Sequence, residues 1–160
     1  MNLIVRTLLF VIIIHGFFLV ALPALLLWTG LGLFHYPGEN IRWVGVFLAV
    51  TGLNIYASTV YDFIATGRGT PAAWDSPVVF VRKGLYRFVR NPMYVGMFLV
   101  LVGEAVFFGS SLLWIYAAVL WLSFHLFVVF YEEPALKKKF GQTYETYLKE
   151  VPRWVPRVRG

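Results

Sequence analysis

The chain has 160 residues, 59% of them hydrophobic and only 14% charged. An ordinary soluble domain is about 45–50% apolar and about 25% charged, and a single core of this size would not hide the excess. A soluble domain is therefore excluded, and so is a disordered chain, because Phe, Tyr and Trp make up 19% of the residues. The composition is that of a small polytopic membrane protein forming one domain. There are no cysteines, which removes disulfides, thiolate metal sites and cysteine nucleophiles.

About 20 apolar helical residues cross a bilayer core. The first candidate span runs from about Leu3 to Trp28, interrupted by Arg6, His15 and Pro23. Arg6, the apolar stretch and Ala21-Leu22-Pro23-Ala24 also fit a cleaved signal peptide, but the apolar run continues to Trp28 and favours a retained helix. The second span runs from about Ile41 to Ile64. On it Thr51, Asn54, Ser58 and Tyr61 share one helical face, a polar stripe expected to point into the bundle, for interhelical hydrogen bonds or a substrate entrance. Thr66 to Pro71 reads as a loop by its glycines and proline. The third span starts near Pro92, which suits a first helical turn, and ends near Phe108. The fourth runs from about Leu112 to Tyr131. Only Gly109-Ser110-Ser111 lies between them, so they form an antiparallel hairpin. Residues 132–150 are charged, with Leu136, Phe140, Tyr144 and Tyr147 at helical spacing. That pattern predicts an amphipathic helix at the cytoplasmic surface.

Charge sets the orientation. Arg68, Arg82, Lys83, Arg87 and Arg90 lie between spans two and three, and Lys137, Lys138, Lys139, Lys149, Arg153, Arg157 and Arg159 follow span four. Basic segments stay on the cytoplasmic side, so both termini are expected there. The fold class is thus all-α: four transmembrane helices, a short hairpin and a C-terminal amphipathic helix. Residues 1–65 hold the first two spans.

The hairpin brings Asn91 and Glu132 to one depth. Arg90, Asn91 and Tyr94 sit at a helix N-terminus, where free N–H groups and the helix dipole attract anions. Glu132 and Glu133 add carboxylates, and aromatic faces attract a sulfonium or ammonium. An Arg90–glutamate ion pair at the interface is the structural alternative. His125 lies seven residues before Glu132, about 10 Å deeper; a polar helix–helix contact is its simpler role. Glu104 lies toward the outer end of span three, protonated or paired with Arg42. Trp74 and Trp154 are expected flat on the headgroups. His15 and His35 lack partners at metal-ligand spacing, so no metal is expected.

Gly84-Leu85-Tyr86, Arg90-Asn91-Pro92-Met93-Tyr94, Glu132-Glu133, Leu136, Phe140-Gly141, Tyr144, Tyr147 and Val151-Pro152-Arg153 together resemble the isoprenylcysteine carboxyl methyltransferase and phospholipid methyltransferase group. These are integral membrane enzymes that use S-adenosylmethionine. The resemblance covers roughly residues 66–156. It implies cofactor contacts at Val79, Phe80 and Val81, at Tyr86, Arg90, Asn91, Pro92, Met93 and Tyr94, and at Glu132. It implies catalytic roles for Glu132, Glu133 and Asn91; Asn54, Ser58 and His125 are the substrate-side candidates. Two positions depart from the prenylcysteine pattern: Asn91 replaces a histidine, and Val128 replaces an arginine that pairs with the substrate carboxylate.

The expected activity is methyl transfer from S-adenosylmethionine to a lipophilic or small amphipathic acceptor, a prenylcysteine-like carboxylate or a lipid amine. The expected partners are that acceptor and membrane lipids, with no nucleic acid, in a bacterial inner membrane or an endoplasmic reticulum membrane. A nicotinamide-dependent membrane reductase is the alternative enzyme, its 2′-phosphate served by Arg82, Lys83, Arg87 and Arg90. A non-catalytic lipid-binding protein is the other alternative.

Overall fold

The computed structural model describes residues 3–32, 34, 40–67 and 80–156. Those residues form helices joined by short turns, with no β-strand among them. The first helical run, α1, has α-helical parts Leu3–Phe10 and Leu22–Trp28 joined through π turns at Val11–His15 and Phe17–Ala21. Helix α2 spans Ile41–Asp62 and runs into a π turn, Phe63–Gly67. Helix α3 spans Pro92–Phe108. Helix α4 begins at Ser111–Phe127 and continues through a π turn, Val128–Glu132, into Glu133–Phe140. Helix α5 spans Gln142–Glu150. By length and composition α1, α2 and α4 are long and apolar enough to cross a membrane, and α3 is a shorter apolar helix.

The hairpin forms as the sequence predicts. Pro92 opens α3 where a missing N–H costs nothing. Gly109 closes it in the left-handed conformation, at φ +61°, which a residue with a Cβ resists. The Ser110 hydroxyl then caps α4 by accepting the Leu113 N–H at 3.3 Å. The end of α1 is laced to this turn by Phe34 N–H to the Gly109 carbonyl and Ser111 N–H to the Gly32 carbonyl, both 2.8 Å.

The closest helix contact joins α2 to α3, and four glycines make it. Gly45 faces Gly103 and Gly52 faces Gly96, antiparallel. A Cβ built on Gly52 would lie 2.5 Å from the Gly96 carbonyl oxygen, and one on Gly103 would lie 2.6 Å from that of Gly45. Backbones therefore touch directly. Lipid gives helices no hydrophobic drive to associate, so small residues that permit this approach supply the attraction by packing. The main core continues from here through Tyr56, Met93, Met97 and Leu101 to Leu19, Ala117 and Leu120. His15 on α1 is hydrogen-bonded to Tyr56 on α2, a buried polar tie between those helices.

The glycine contact corrects one expectation. The polar stripe on α2 does not face the bundle: Asn54, Ser58 and Tyr61 are exposed. The Asn54 amide donates to the Val50 carbonyl at 2.8 Å and the Ser58 hydroxyl to the Ile55 carbonyl at 2.8 Å, so both are satisfied by their own helix. The side of α2 that meets α3 is taken by glycines.

A second correction concerns residues 132–150. They are two helices, not one amphipathic helix on the surface. Residues 133–140 extend α4. The chain then turns at Gly141, at φ +53°, and α5 folds back. Tyr144, Tyr147 and Val151 make a small core of their own with Phe80, Leu136 and Phe140. The apolar face buries itself against protein. Of the predicted loop Thr66–Pro71, residues 66 and 67 instead belong to the π turn that continues α2; residues 68–71, Trp74 and His35 lie outside the described residues.

Replacing Gly52 with isoleucine should force α2 and α3 apart. Overpacking of this kind costs about 1–3 kcal/mol, read as a lower thermal unfolding midpoint in detergent. Gly16→Ala, where an added Cβ meets nothing within 4 Å, should leave the midpoint unchanged or slightly raised.

Candidate functional site

The site is built where the start of α3, the far half of α4 and the segment 151–154 meet. The Tyr94 hydroxyl donates to Glu132 Oε2 at 3.0 Å. The Tyr94 ring lies 4.7 Å from Phe124 on α4. The adjacent carboxylate has different partners. Glu133 receives Arg90 Nη1 at 2.7 Å, Arg153 Nε at 2.8 Å and Arg153 Nη2 at 2.9 Å. The Arg153 pairing is bidentate, the strong form of this contact, and hydrogen bonding to Glu133 raises the Arg153 pKa further. Among the described ion pairs Glu132 has no cation. Two neighbouring glutamates are thus sorted: Glu133 is a clamp, and Glu132 meets a hydroxyl.

Glu132 ends a widened turn of α4, two residues before a proline. Pro134 has no N–H, and its ring presses on the carbonyl four residues back, that of Phe130. The helix widens to a π turn over Val128–Glu132, immediately before it. Pro23 in α1 is preceded in the same way by the π turn Phe17–Ala21. Such widened turns recur at functional sites because they redirect side chains.

The segment after α5 closes the site from below. Arg90 N–H donates to the Pro152 carbonyl at 2.9 Å, and the Asn91 amide donates to the Arg153 carbonyl at 3.2 Å. Trp154 packs against Trp121 with centroids 4.4 Å apart and planes tilted by 52°, and its indole N–H donates to His125 Nδ1 at 3.0 Å. Trp154 therefore does not lie flat on headgroups. It is tucked against α4, and His125 serves as its anchor. Spacing along α4 could not show this, because the partner arrives from 29 residues further on.

Tyr86 lies in the turn Gly84–Arg87, buried, with its carbonyl accepting the Tyr147 hydroxyl at 2.7 Å. Burial raises the Tyr86 phenol well above its usual range, and the Glu132 carboxylate raises it further. Burial also pushes Tyr144 and Tyr147 up. All three stay neutral hydroxyls at physiological pH. Gly84 is at φ +52°, and the Asp62 carboxylate from the end of α2 occupies the space a side chain would need. Asp62 thereby packs the end of α2 against the Tyr86 turn.

The expected residues sort as follows. Asn91, Pro92, Met93, Tyr94, Arg90, Glu132, Glu133 and Tyr86 are brought together. Phe80 and Val81 lie on the α5 side, Phe80 against the rings of Phe140, Tyr144 and Tyr147. Val79 is outside the described residues. Asn54 and Ser58 are on the outer face of α2. Val128 is fully buried. The arginine cluster expected to serve a 2′-phosphate is divided, with Arg82 paired to Glu150 and Arg90 to Glu133.

A family model described as phospholipid methyltransferase matches residues 40–143. The chain belongs to the phospholipid methyltransferase family. It is 37% identical over 83 residues to a protein-S-isoprenylcysteine O-methyltransferase of Schizosaccharomyces pombe, covering 50% of this chain and 34% of that protein. It is 36% identical over 78 residues to protein-S-isoprenylcysteine O-methyltransferase B of Arabidopsis thaliana, covering 49% and 40%. It is 30% identical over 81 residues to a methanethiol S-methyltransferase of Crocosphaera subtropica, covering 51% and 31%. The chain spans about a third to two-fifths of the length of these relatives. Within the family match lie α2, α3, α4 and the Tyr94–Glu132 pair.

Replacing Glu133 with alanine leaves two arginines facing each other without their carboxylate. Breaking a buried pair costs about 3–5 kcal/mol, expected as a large loss of stability in thermal unfolding and as faster proteolysis within residues 151–156. Lys137→Ala breaks only the exposed pair with Glu145 and should cost under about 1 kcal/mol.

Proposed function

We propose that this chain is an integral membrane methyltransferase that takes its methyl group from S-adenosylmethionine, with Glu132 and Tyr94 at the centre of the site. The observation that carries the reading is the pairing of Glu132 with Tyr94 beside aromatic rings, while its neighbour Glu133 absorbs both arginines. A carboxylate left beside aromatic faces suits a cationic ligand.

The residues fit this cofactor in two respects. Arg90 Nε is buried with no hydrogen-bond partner among the described residues, a donor that suits an amino-acid carboxylate. Glu132, Tyr94 and Phe124 offer a carboxylate and ring faces to a sulfonium or an ammonium. When bound, the cofactor supplies an activated methyl group on a positively charged sulfur.

The chain's own part is alignment, exclusion of water and the handling of one proton. Arg90 and Glu133 hold the α3 end against α4. Arg153 and Trp154 draw the segment 151–154 across the site and limit access of water. This fixed geometry is what a displacement needs, since nucleophile, methyl and leaving group must lie in line. Glu132 can accept a proton from an ammonium acceptor. Asn91 donates its amide and cannot titrate. With Val128 buried, the chain lacks at that position the cation that would hold an acceptor carboxylate. The reading therefore favours a lipophilic or small amphipathic amine as acceptor. The site is assigned to the cytoplasmic face on the excess of Lys and Arg at this end of the bundle.

The test is S-adenosylmethionine binding to the detergent-purified chain by calorimetry. Micromolar binding is expected, weakened at least tenfold by Glu132→Ala and by Tyr94→Ala. No binding at millimolar ligand, in protein that unfolds cooperatively, overturns the reading.

A further inference from the structure

The end of the bundle away from Asn91 carries a polar group that methyl transfer does not use. Glu104 lies on α3, one turn before its Phe108 end. Its Oε2 is buried and has no hydrogen-bond partner among the described residues. The described ion pairs give it no cation, and the expected pair with Arg42 is not among them. A buried carboxyl oxygen without a partner is costly, so its environment is incomplete as it stands.

Glu104 lines one end of a cavity of about 500 Å³ between α1, α2 and α3. The walls are apolar, with Leu19, Ala49, Leu53 and Val100 among them. His15 and Tyr56 close the other end and are hydrogen-bonded to each other, so they are satisfied. Gly45 faces Gly103, the neighbour of Glu104. From Gly45 to Tyr56 is eleven residues of α2, a rise of about 16 Å. Val50 and Leu53 on the rim are 53% and 57% exposed, so the cavity opens sideways, toward lipid. Its volume is that of a small-molecule site, apolar with a few placed polar groups.

A long apolar cavity, open to the bilayer and ending on one unpartnered acceptor, suits a long apolar chain with a hydrogen-bond-donating head. We propose that it binds a single-chain amphiphile with an ammonium head, the head on Glu104 and the chain running toward His15 and Tyr56. An ammonium completes the Glu104 carboxylate. A carboxylate or phosphate head would set like charges together, and an alkane would leave Oε2 as it is. The site lies at the opposite end of α3 from Asn91 and Tyr94, so this ligand is not the methyl acceptor.

The test places the full chain in phosphatidylcholine nanodiscs with hexadecylamine bearing a diazirine near the chain end. Matching hexadecanoic acid and hexadecanol probes run alongside. After irradiation, the amine should label peptides containing residues 11–20 and 49–53. Label should fall at least tenfold in Glu104→Gln, which removes the charge, and in Val50→Trp, which fills the cavity mouth from its exposed rim. The acid and the alcohol should label at least tenfold less than the amine. Even labelling of every lipid-facing helix, equal labelling by the three probes, or labelling unchanged by the substitutions overturns the proposal. Thermal unfolding identifies which variants are folded, and either variant alone decides the matter.

Discussion

The backbone contact between α2 and α3 is the constraint on which the remaining architecture depends. In lipid a leucine gains nothing by leaving the acyl chains for another helix, so association rests on how closely two helices can approach. Gly45, Gly52, Gly96 and Gly103 place carbonyl oxygens where side chains would otherwise stand. Once α3 is seated on α2, the Asp62 end of α2 meets Gly84 and carries the Tyr86 turn to the start of α3. The three-residue link then leaves α4 no choice but to run back alongside α3. The candidate site stands at the end of this stack, on helices whose register is already settled.

Charge is organised by the same economy. Glu132 and Glu133 are adjacent in the chain and point to different partners. Arg90 and Arg153 converge on Glu133 from α3 and from the segment beyond α5. That network is tied to the backbone as well, through Arg90 to Pro152 and Asn91 to Arg153. Glu132 remains with a tyrosine hydroxyl and aromatic rings. A carboxylate so placed is available to a ligand in a way that one locked by two guanidiniums is not. Prolines contribute to the same end: each of the two π turns that precede Pro23 and Pro134 absorbs a missing N–H and reorients the residues beside it.

The two ends of α3 thus differ in kind. At the Asn91 end, Glu133 is paired with two arginines and Glu132 with a tyrosine hydroxyl, and their surroundings come from four separate segments. At the Glu104 end, a carboxyl group faces an apolar cavity with its oxygen unpartnered among the described residues. The polar group buried between them, the His15–Tyr56 pair, satisfies itself, whereas Glu104 Oε2 faces a space that a ligand can fill.

Helix number, helix order and the hairpin were legible from hydropathy and from the Gly109-Ser110-Ser111 link, because apolar length and a short connection admit few arrangements. The meeting of Tyr94 with Glu132 was legible for the same reason. The inward face of α2 was not: polarity points to the stripe through Asn54 and Ser58, whereas glycines hold the interface. In a membrane the polarity pattern that marks a soluble core loses its meaning, and a serine can satisfy itself on its own helix. The break at Gly141, the burial of Trp154 against His125 and the choice between Glu132 and Glu133 also lay beyond the sequence. Each depends on where the chain returns after α5, and that return is decided by long-range contacts of Tyr144, Tyr147, Arg153 and Trp154 rather than by any local pattern. Local pattern was enough to specify the helices; partners distant in the chain determined which faces they share and which carboxylate they leave open.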